Sequence, residues 1–286
     1  MRWQSVVESD SVVRAMTDDG GLRVVAALTS ESVGGATETQ DAGADVLRVF
    51  GELLTGTILY RETMAPTLRV QGILQGADRS GQLVADSHPD GTSRGLVRQR
   101  DKNPIKLRGA VLQMMRSLPN GSLHRGMVEV PASGRVADAL MAYLQTSEQV
   151  VSMLSVGVKM EGTTVRWAGG YLVQLLPELS ETQLAVMTER LKEFASIETL
   201  SASAAKDPKT LVSELFYGMD YTVLETSPLR FACNCSQVRV MASLSTLGRA
   251  DLEDLMSDPS IELSCDYCNK TFHVSAEQLR GLLSGS

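Results

Sequence analysis

Histidine is scarce in this chain of 286 residues: His88, His124 and His273 are the whole complement, widely separated. A metal centre built on imidazole would have to be assembled from distant segments. Excess positive charge is also absent. The formal net charge is −7 and the pI is near 5.1, so broad binding to phosphate backbones lacks its electrostatic basis. Apolar runs reach only a few residues, as in Val24 to Leu28, far below a membrane span. The opening MRWQSVVESDSVVRAM has no basic start followed by an apolar run. No secretory signal is therefore visible, and a cytosolic location is expected. No G-x-x-x-x-G-K-[ST] phosphate loop occurs. The composition, 43 % hydrophobic and 21 % charged, is that of a soluble globular protein, and the length suits two domains or one domain with an appendage.

What is present is unevenly distributed. Twenty of the 24 glycines precede Pro177, a density typical of turn-rich β structure. Strand candidates recur between them: Leu22 to Leu28, Leu68 to Leu74, Gln82 to Ala85, Met127 to Val130, Val156 to Met160 and Tyr171 to Leu176. Leu68, Val70 and Gly72 alternate with Arg69, Gln71 and Ile73, the period of a half-buried strand. Asp45 to Tyr60 and Ala137 to Gln145 carry apolar residues at helical spacing. Residues 1–177 thus read as one α+β domain.

Beyond Pro177 the texture changes. Ser180 with Gln183 forms a capping box, and Leu184, Met187, Leu191 and Phe194 make one apolar stripe. Asp207-Pro208 starts a second helix carrying Leu211, Val212, Leu215 and Phe216, joined to the first through the Ala/Ser-rich stretch Ser201 to Ala205. Such short helices do not fold alone. Residues 178–231 are therefore expected to be a helical linker docked on the first domain, with a releasable binding surface as the sharper alternative.

All four cysteines lie in the final segment, 232–286: Cys233, Cys235, Cys265 and Cys268. In a reducing cytosol, clustered cysteines read as metal ligands or redox centres. A C-x-C and a C-x-x-C pair separated by 29 residues supply four thiolates, the shell of a tetrahedral zinc site. The surrounding segment promises little apolar core beyond Phe231, Phe272 and a few aliphatics, so metal is a source of folding energy. Three roles for the zinc are open. It can be a static staple. It can be a redox sensor, because thiolates are the oxidisable form of cysteine and each close pair is locally available for a disulfide. A nucleic-acid ribbon is the third, and four Lys/Arg against seven acidic residues in 232–286 argue against it. Ile261 to Leu263 and Thr271 to Val274 flank the second pair as strands, Leu247 to Met256 reads as a helix, and Ser275 with Gln278 caps a last one.

Phe231-Ala232-Cys233-Asn234-Cys235-Ser236, followed by Arg239, and Ile261-Glu262-Leu263-Ser264-Cys265-Asp266-Tyr267-Cys268 resemble the carboxy-terminal signature of the thirty-three-kilodalton chaperonin (HslO) family. Gly81 to Asp86 with Arg94-Gly95, Ser147-Glu148-Gln149, and Ala168 to Gln174 are similar to its amino-domain landmarks, in the same order. Residues 98–122 depart from the strand-rich segment of that family, and Val150-Val151 replaces its proline-containing turn. The resemblance implies an α+β domain (1–177), a helical linker (178–231) and a zinc redox-switch domain (232–286). It implies one Zn2+ per reduced chain on Cys233, Cys235, Cys265 and Cys268, and disulfides within each pair on oxidation. It further implies an ATP-independent holdase for unfolding client proteins, a homodimer when oxidised, with no nucleic-acid or membrane partner.

Leu184, Met187, Leu191, Phe194, Leu211, Leu215 and Phe216 are the candidate client-binding residues. No catalytic residue is expected: Glu148, Asp86 with His88, and Asp18-Asp19 form no nucleophile–base–orienter constellation. The competing reading is a constitutive zinc-ribbon adaptor for a protein or RNA partner.

Overall fold

The computed structural model describes residues 9–99, 103–118, 120–203 and 207–284. The amino-terminal stretch 1–8 and positions 204–206, which take in the end of the Ala/Ser-rich joint, lie outside them. The chain divides into two compact units, 1–232 and 233–286.

The first unit holds two sheets. In the five-stranded one, β1 (Ser11–Thr17), β2 (Leu22–Leu28), β8 (Ser152–Glu161), β9 (Thr164–Leu175) and β10 (Tyr221–Pro228) run in the order β10-β1-β2-β9-β8. The six-stranded one contains β3 (Val70–Gln75), β4 (Gly81–Ser87), β5 (Thr92–Gln99), β6 (Val111–Ser117), β7 (Leu123–Glu129) and β11 (Arg230–Phe231), in the order β11-β5-β4-β3-β6-β7. Every pairing is antiparallel except β11 with β5. The mixed α+β class read from the sequence is the observed one.

Three helices accompany the sheets: α1 (Ser30–Glu38), α2 (Ala44–Arg61) and α3 (Val136–Ser147). Helix α2 touches strands of both sheets. Its sequence explains this placement. Val46, Leu47, Val49, Phe50, Leu53, Leu54, Ile58 and Leu59 are apolar almost all round, and all are buried; a helix without a polar face belongs in an interior. Gly56 lets α3 approach, because a Cβ there would sit 2.3 Å from Leu140 Cδ1. The polar groups carried inside have partners: Thr55 Oγ1 lies 2.8 Å from Thr29 Oγ1, and Tyr60 OH donates to Glu148 Oε1 at 2.7 Å.

Strand β6 corrects the reading of residues 98–122. It lies between β3 and β7 with Leu112 and Met114 buried. Gln113, Met114 and Met115 have little intrinsic strand preference, and pairing on both sides supplies what propensity does not.

The two helices expected after Pro177 are α4 (Glu181–Glu193) and α6 (Pro208–Leu215), and a third outside that expectation, α5 (Ile197–Ser203), takes in the start of the Ala/Ser-rich joint. Both arms of the Ser180/Gln183 capping box form, and Asp207 accepts the Lys209 N–H with Pro208 in the first turn. Met187, Leu191, Phe194, Leu200, Leu211, Val212, Leu215 and Phe216 are buried against Val13, Ala15, Leu22, Val24, Trp167, Tyr171 and Val173 of the five-stranded sheet. The helical expectation for 178–231 needs one correction: β10 completes that sheet against β1, and β11 joins the other. Nearly every β10 side chain is exposed, so backbone pairing holds it and no periodicity marks it.

The second unit comprises α7 (Gln237–Leu244), α8 (Arg249–Leu255), a hairpin of β12 (Ser260–Ser264) with β13 (Thr271–Ser275), and α9 (Ala276–Ser284). Leu244, Leu252, Val274 and Leu279 form its small interior. Phe231, counted toward this core from the sequence, instead packs on the interior of the first unit.

One buried carboxylate of the first unit sets a pH dependence. Asp10 is fully buried and accepts N–H bonds from Glu31 (3.1 Å) and Ser32 (2.6 Å) at the start of α1. Burial outweighs these donors and raises its pKa from 3.8 to about 6. A raised folded-state value means that Asp10 contributes stability in full below pH 3.8 and loses it as the pH rises through about 6. Between about pH 7 and about pH 5 the wild-type chain is expected to gain about 1 kcal/mol relative to Asp10→Asn. Paired melting curves across that range test it; a constant difference would mean that Asp10 does not titrate there.

Candidate metal centre

The two cysteine pairs are presented by different local devices. Register pairing of Ser264 with Thr271 closes the hairpin over residues 265–270. Within that loop Cys265 N donates to Lys270 O (3.0 Å), and Cys268 N (3.3 Å) and Asn269 N (2.8 Å) both donate to Cys265 O. Asn269 takes a left-handed backbone, φ 56°, which asparagine tolerates better than most residues. The turn folds Cys268 back beside Cys265. Cys233 and Cys235 directly precede α7, whose cap Ser236 accepts the Arg239 N–H at 3.3 Å. Gln237 Nε2 donates to His273 O at 3.1 Å and fastens the start of α7 to β13.

These devices bring all four sulfurs within 4.8 Å of one another. Cys233 Sγ is 3.7 Å from Cys265 Sγ, and Cys235 Sγ is 3.5 Å from Cys268 Sγ. Sulfurs about 2.3 Å from a tetrahedral zinc ion stand about 3.8 Å apart, so the donor set fits that metal in type and spacing. Each cysteine is half-buried. Burial first, and then the neighbouring sulfurs, push the Cys235 thiol up to about 12; burial is also the main cause of the upward shift at Cys268. Four thiolates so close together call for a cation among them. His273, the histidine nearest in sequence to Cys268, lies 3.4 Å from Glu262 and is not one of the clustered ligands.

The other titratable residues singled out from sequence have structural partners. Asp86 is buried under Arg69 (2.6 and 2.7 Å), Arg94 (3.2 Å) and His88 (3.2 Å). Glu148 accepts from Tyr60 (2.7 Å), Tyr143 (3.1 Å) and Arg116 (2.7 Å). Asp19 accepts from Thr17 Oγ1 (2.8 Å), Gly21 N (3.0 Å) and the Gln183 amide of α4. Asp18 accepts from Thr222 at 2.9 Å.

Of the candidate client-contact residues, Met187, Leu191, Phe194, Leu211, Leu215 and Phe216 are buried, whereas Leu184 is 41 % exposed. Sequence reasoning missed a polar clamp on the same helices. Arg190 of α4 donates to Leu215 O (2.6 Å) and Tyr217 O (2.7 Å) at the end of α6. Only an arginine at the flank of the apolar stripe, three residues after Met187 and four before Phe194, hinted at it, a signal shared with many helix faces.

A family model described as Hsp33 protein matches residues 10–275. The 33 kDa chaperonin of Syntrophotalea carbinolica is 32 % identical, covering 96 % of this chain and 99 % of its own. That of Listeria innocua is 29 % identical, over 96 % and 98 % of the two chains. The crystal structure of the 33 kDa chaperonin (heat shock protein 33 homologue) from Thermotoga maritima matches the fold with a TM-score of 0.85 at 25 % identity, covering 97 % of this chain and 99 % of its own.

Proposed function

This chain belongs to the Hsp33 protein family, a non-enzymatic holdase family, and from that premise we propose that it is an ATP-independent holdase switched on by oxidation in the cytosol. Cys233, Cys235, Cys265 and Cys268 would hold one zinc ion, which supplies folding energy to residues 233–286 and keeps the sulfurs as thiolates. Oxidation joins Cys233 to Cys235 and Cys265 to Cys268. In each case the two thiolates that form the S–S bond give two electrons to one hydrogen peroxide, whose O–O bond breaks and which takes up two protons and leaves as two waters. With their sulfurs joined, Cys233, Cys235, Cys265 and Cys268 would offer no thiolate donors to a metal, and the second unit would lose its main source of stability. Residues 178–231 act as a linker that loosens next, opening the stripe of Met187, Leu191, Phe194, Leu211, Leu215 and Phe216, with Leu184 at its rim, to unfolding client proteins. The oxidised chain works as a homodimer, without a nucleic-acid or membrane partner.

The observation that carries this reading is the convergence of four sulfurs within 4.8 Å, in a unit whose core cluster of buried residues is Leu244, Leu252, Val274 and Leu279. Light scattering by a heat-labile client, with zinc release followed in the same samples before and after peroxide, tests it. Suppressed aggregation only after oxidation and zinc loss is the expected result. Equal activity in both states would make the zinc a static staple and favour the constitutive adaptor.

A further inference from the structure

Helices α4 and α6 bury one face against the five-stranded sheet and leave a groove of about 880 Å³ between their outer faces. Ala185 and Val186 of α4, the Phe194 that ends it, and Tyr217 beyond α6 give the groove an apolar lining. Val186 is 41 % exposed, and Tyr217, at 79 %, is the most exposed large apolar side chain among the described residues. An aromatic ring left in water beside an apolar trough has contact area to offer a partner.

The walls carry charge of one sign. Glu189 and Glu193 stand on α4 and Glu214 on α6. The single cation among the lining residues is Arg190, which is turned to the Leu215 and Tyr217 carbonyls. Lys192 pairs with Glu189 at 2.6 Å from outside the groove, an exposed pair of little strength. Glu193 has no ion-pair partner among the described residues. An apolar floor between acidic walls matches one ligand chemistry: an amphipathic helix whose apolar face fills the groove and whose lysines or arginines flank it.

We propose that this groove seats a basic amphipathic helix of another protein on the reduced chain, and that the seated helix ties α4 to α6 and holds the covered stripe shut. Such a partner differs from an unfolding client. A client needs the face that α4 and α6 turn to the sheet, whereas the groove exists only while the two helices lie side by side. The clamp follows by linkage. A ligand that binds only the docked helices favours that state about a hundredfold when its concentration is a hundred times its Kd. The inference rests on the oxidation-driven opening in the reading above and adds a partner that opposes it.

Three labelled peptides of equal length, titrated into the full reduced chain and read by fluorescence anisotropy, are the test. One is an amphipathic Leu/Lys helix, one has Glu in place of Lys, and one has the Leu/Lys composition in scrambled order. The basic helix should bind, more weakly as salt rises, and the other two about tenfold or more less tightly. E189K/E193K, at two exposed positions, should lose about tenfold or more. E129K/E161K makes the same change in net charge at exposed positions outside the groove and should bind as the wild type does. Equal binding of the acidic helix, equal loss in E129K/E161K, or no loss in E189K/E193K would each overturn the proposal. Equal binding of the scrambled peptide would make the groove a site for unfolded chains. Self-association of the reduced chain that E189K/E193K abolishes would give it to a second copy. Either result overturns the proposal as well. The bound basic helix should also slow the peroxide-triggered loss of hydrogen-exchange protection over 181–215, and an unchanged rate would overturn the clamp. A peptide-free chain that keeps this protection after full oxidation defeats the redox reading alone, because the binding arm needs no oxidant.

Discussion

Replacing Cys265 by serine, or removing the metal from the reduced chain with a chelator, is expected to unfold residues 233–286. A segment of this size does not bury enough surface to be stable by itself. Its enclosed aliphatics are Leu244, Leu252, Val274 and Leu279, and α8 has only seven residues. Structural zinc contributes about 10–16 kcal/mol of apparent binding energy in thiolate-rich peptides near neutral pH, more than the stability of many whole domains. Loss of that contribution leaves the unit on the unfolded side of its equilibrium. Limited proteolysis mapped by mass spectrometry, with zinc measured on the same samples, reads this directly. Cleavage should concentrate within 233–286 while β1 to β9 stay protected. A metal-free chain with those residues still resistant would show that the aliphatic cluster suffices.

The second large effect is expected in the helices after Pro177. Oxidation should remove hydrogen-exchange protection from 181–215 as well as from 233–286, while α2 and the strands around it keep theirs. Helices α4, α5 and α6 have 13, 7 and 8 residues, lengths at which isolated helicity is marginal. They stay folded because their apolar faces lie on the five-stranded sheet, and because Arg190 and Gln183 supply polar ties to Leu215, Tyr217 and Asp19. The least stable element opens first. Phe216→Ala offers an independent route to the same state, since truncating a buried phenylalanine costs about 3–5 kcal/mol. The reduced variant, its zinc retained, should bind a hydrophobic dye and suppress client aggregation without peroxide. Unchanged protection over 181–215 after complete oxidation would sink the coupling, whatever the zinc does.

Features encoded over a few residues were legible in the sequence. The capping box at Ser180 and Gln183, the Asp207-Pro208 start and the reciprocal Ser275–Gln278 bonds all form where side-chain spacing placed them. Helix α2 and the alternation in β3 were readable because burial on a regular element leaves a period. The ligand chemistry was readable too, because the pairs C-x-C and C-x-x-C are themselves local.

Other features depend on residues far apart in the chain. By itself the sequence determined which side chains could bind metal, where most helices start and which segments are strongly periodic. Only the tertiary structure brought Cys233 and Cys235 across 29 intervening residues to the hairpin loop that holds Cys265 and Cys268. It decided that β10 closes a sheet begun by β1, that β6 lies between β3 and β7, and that Phe231 belongs to the first unit. The physical reason is common to these cases. Caps and helical periods arise from contacts within a few residues, whereas strand order and ligand convergence arise from backbone pairing and burial between distant segments, which leave no period in either segment alone.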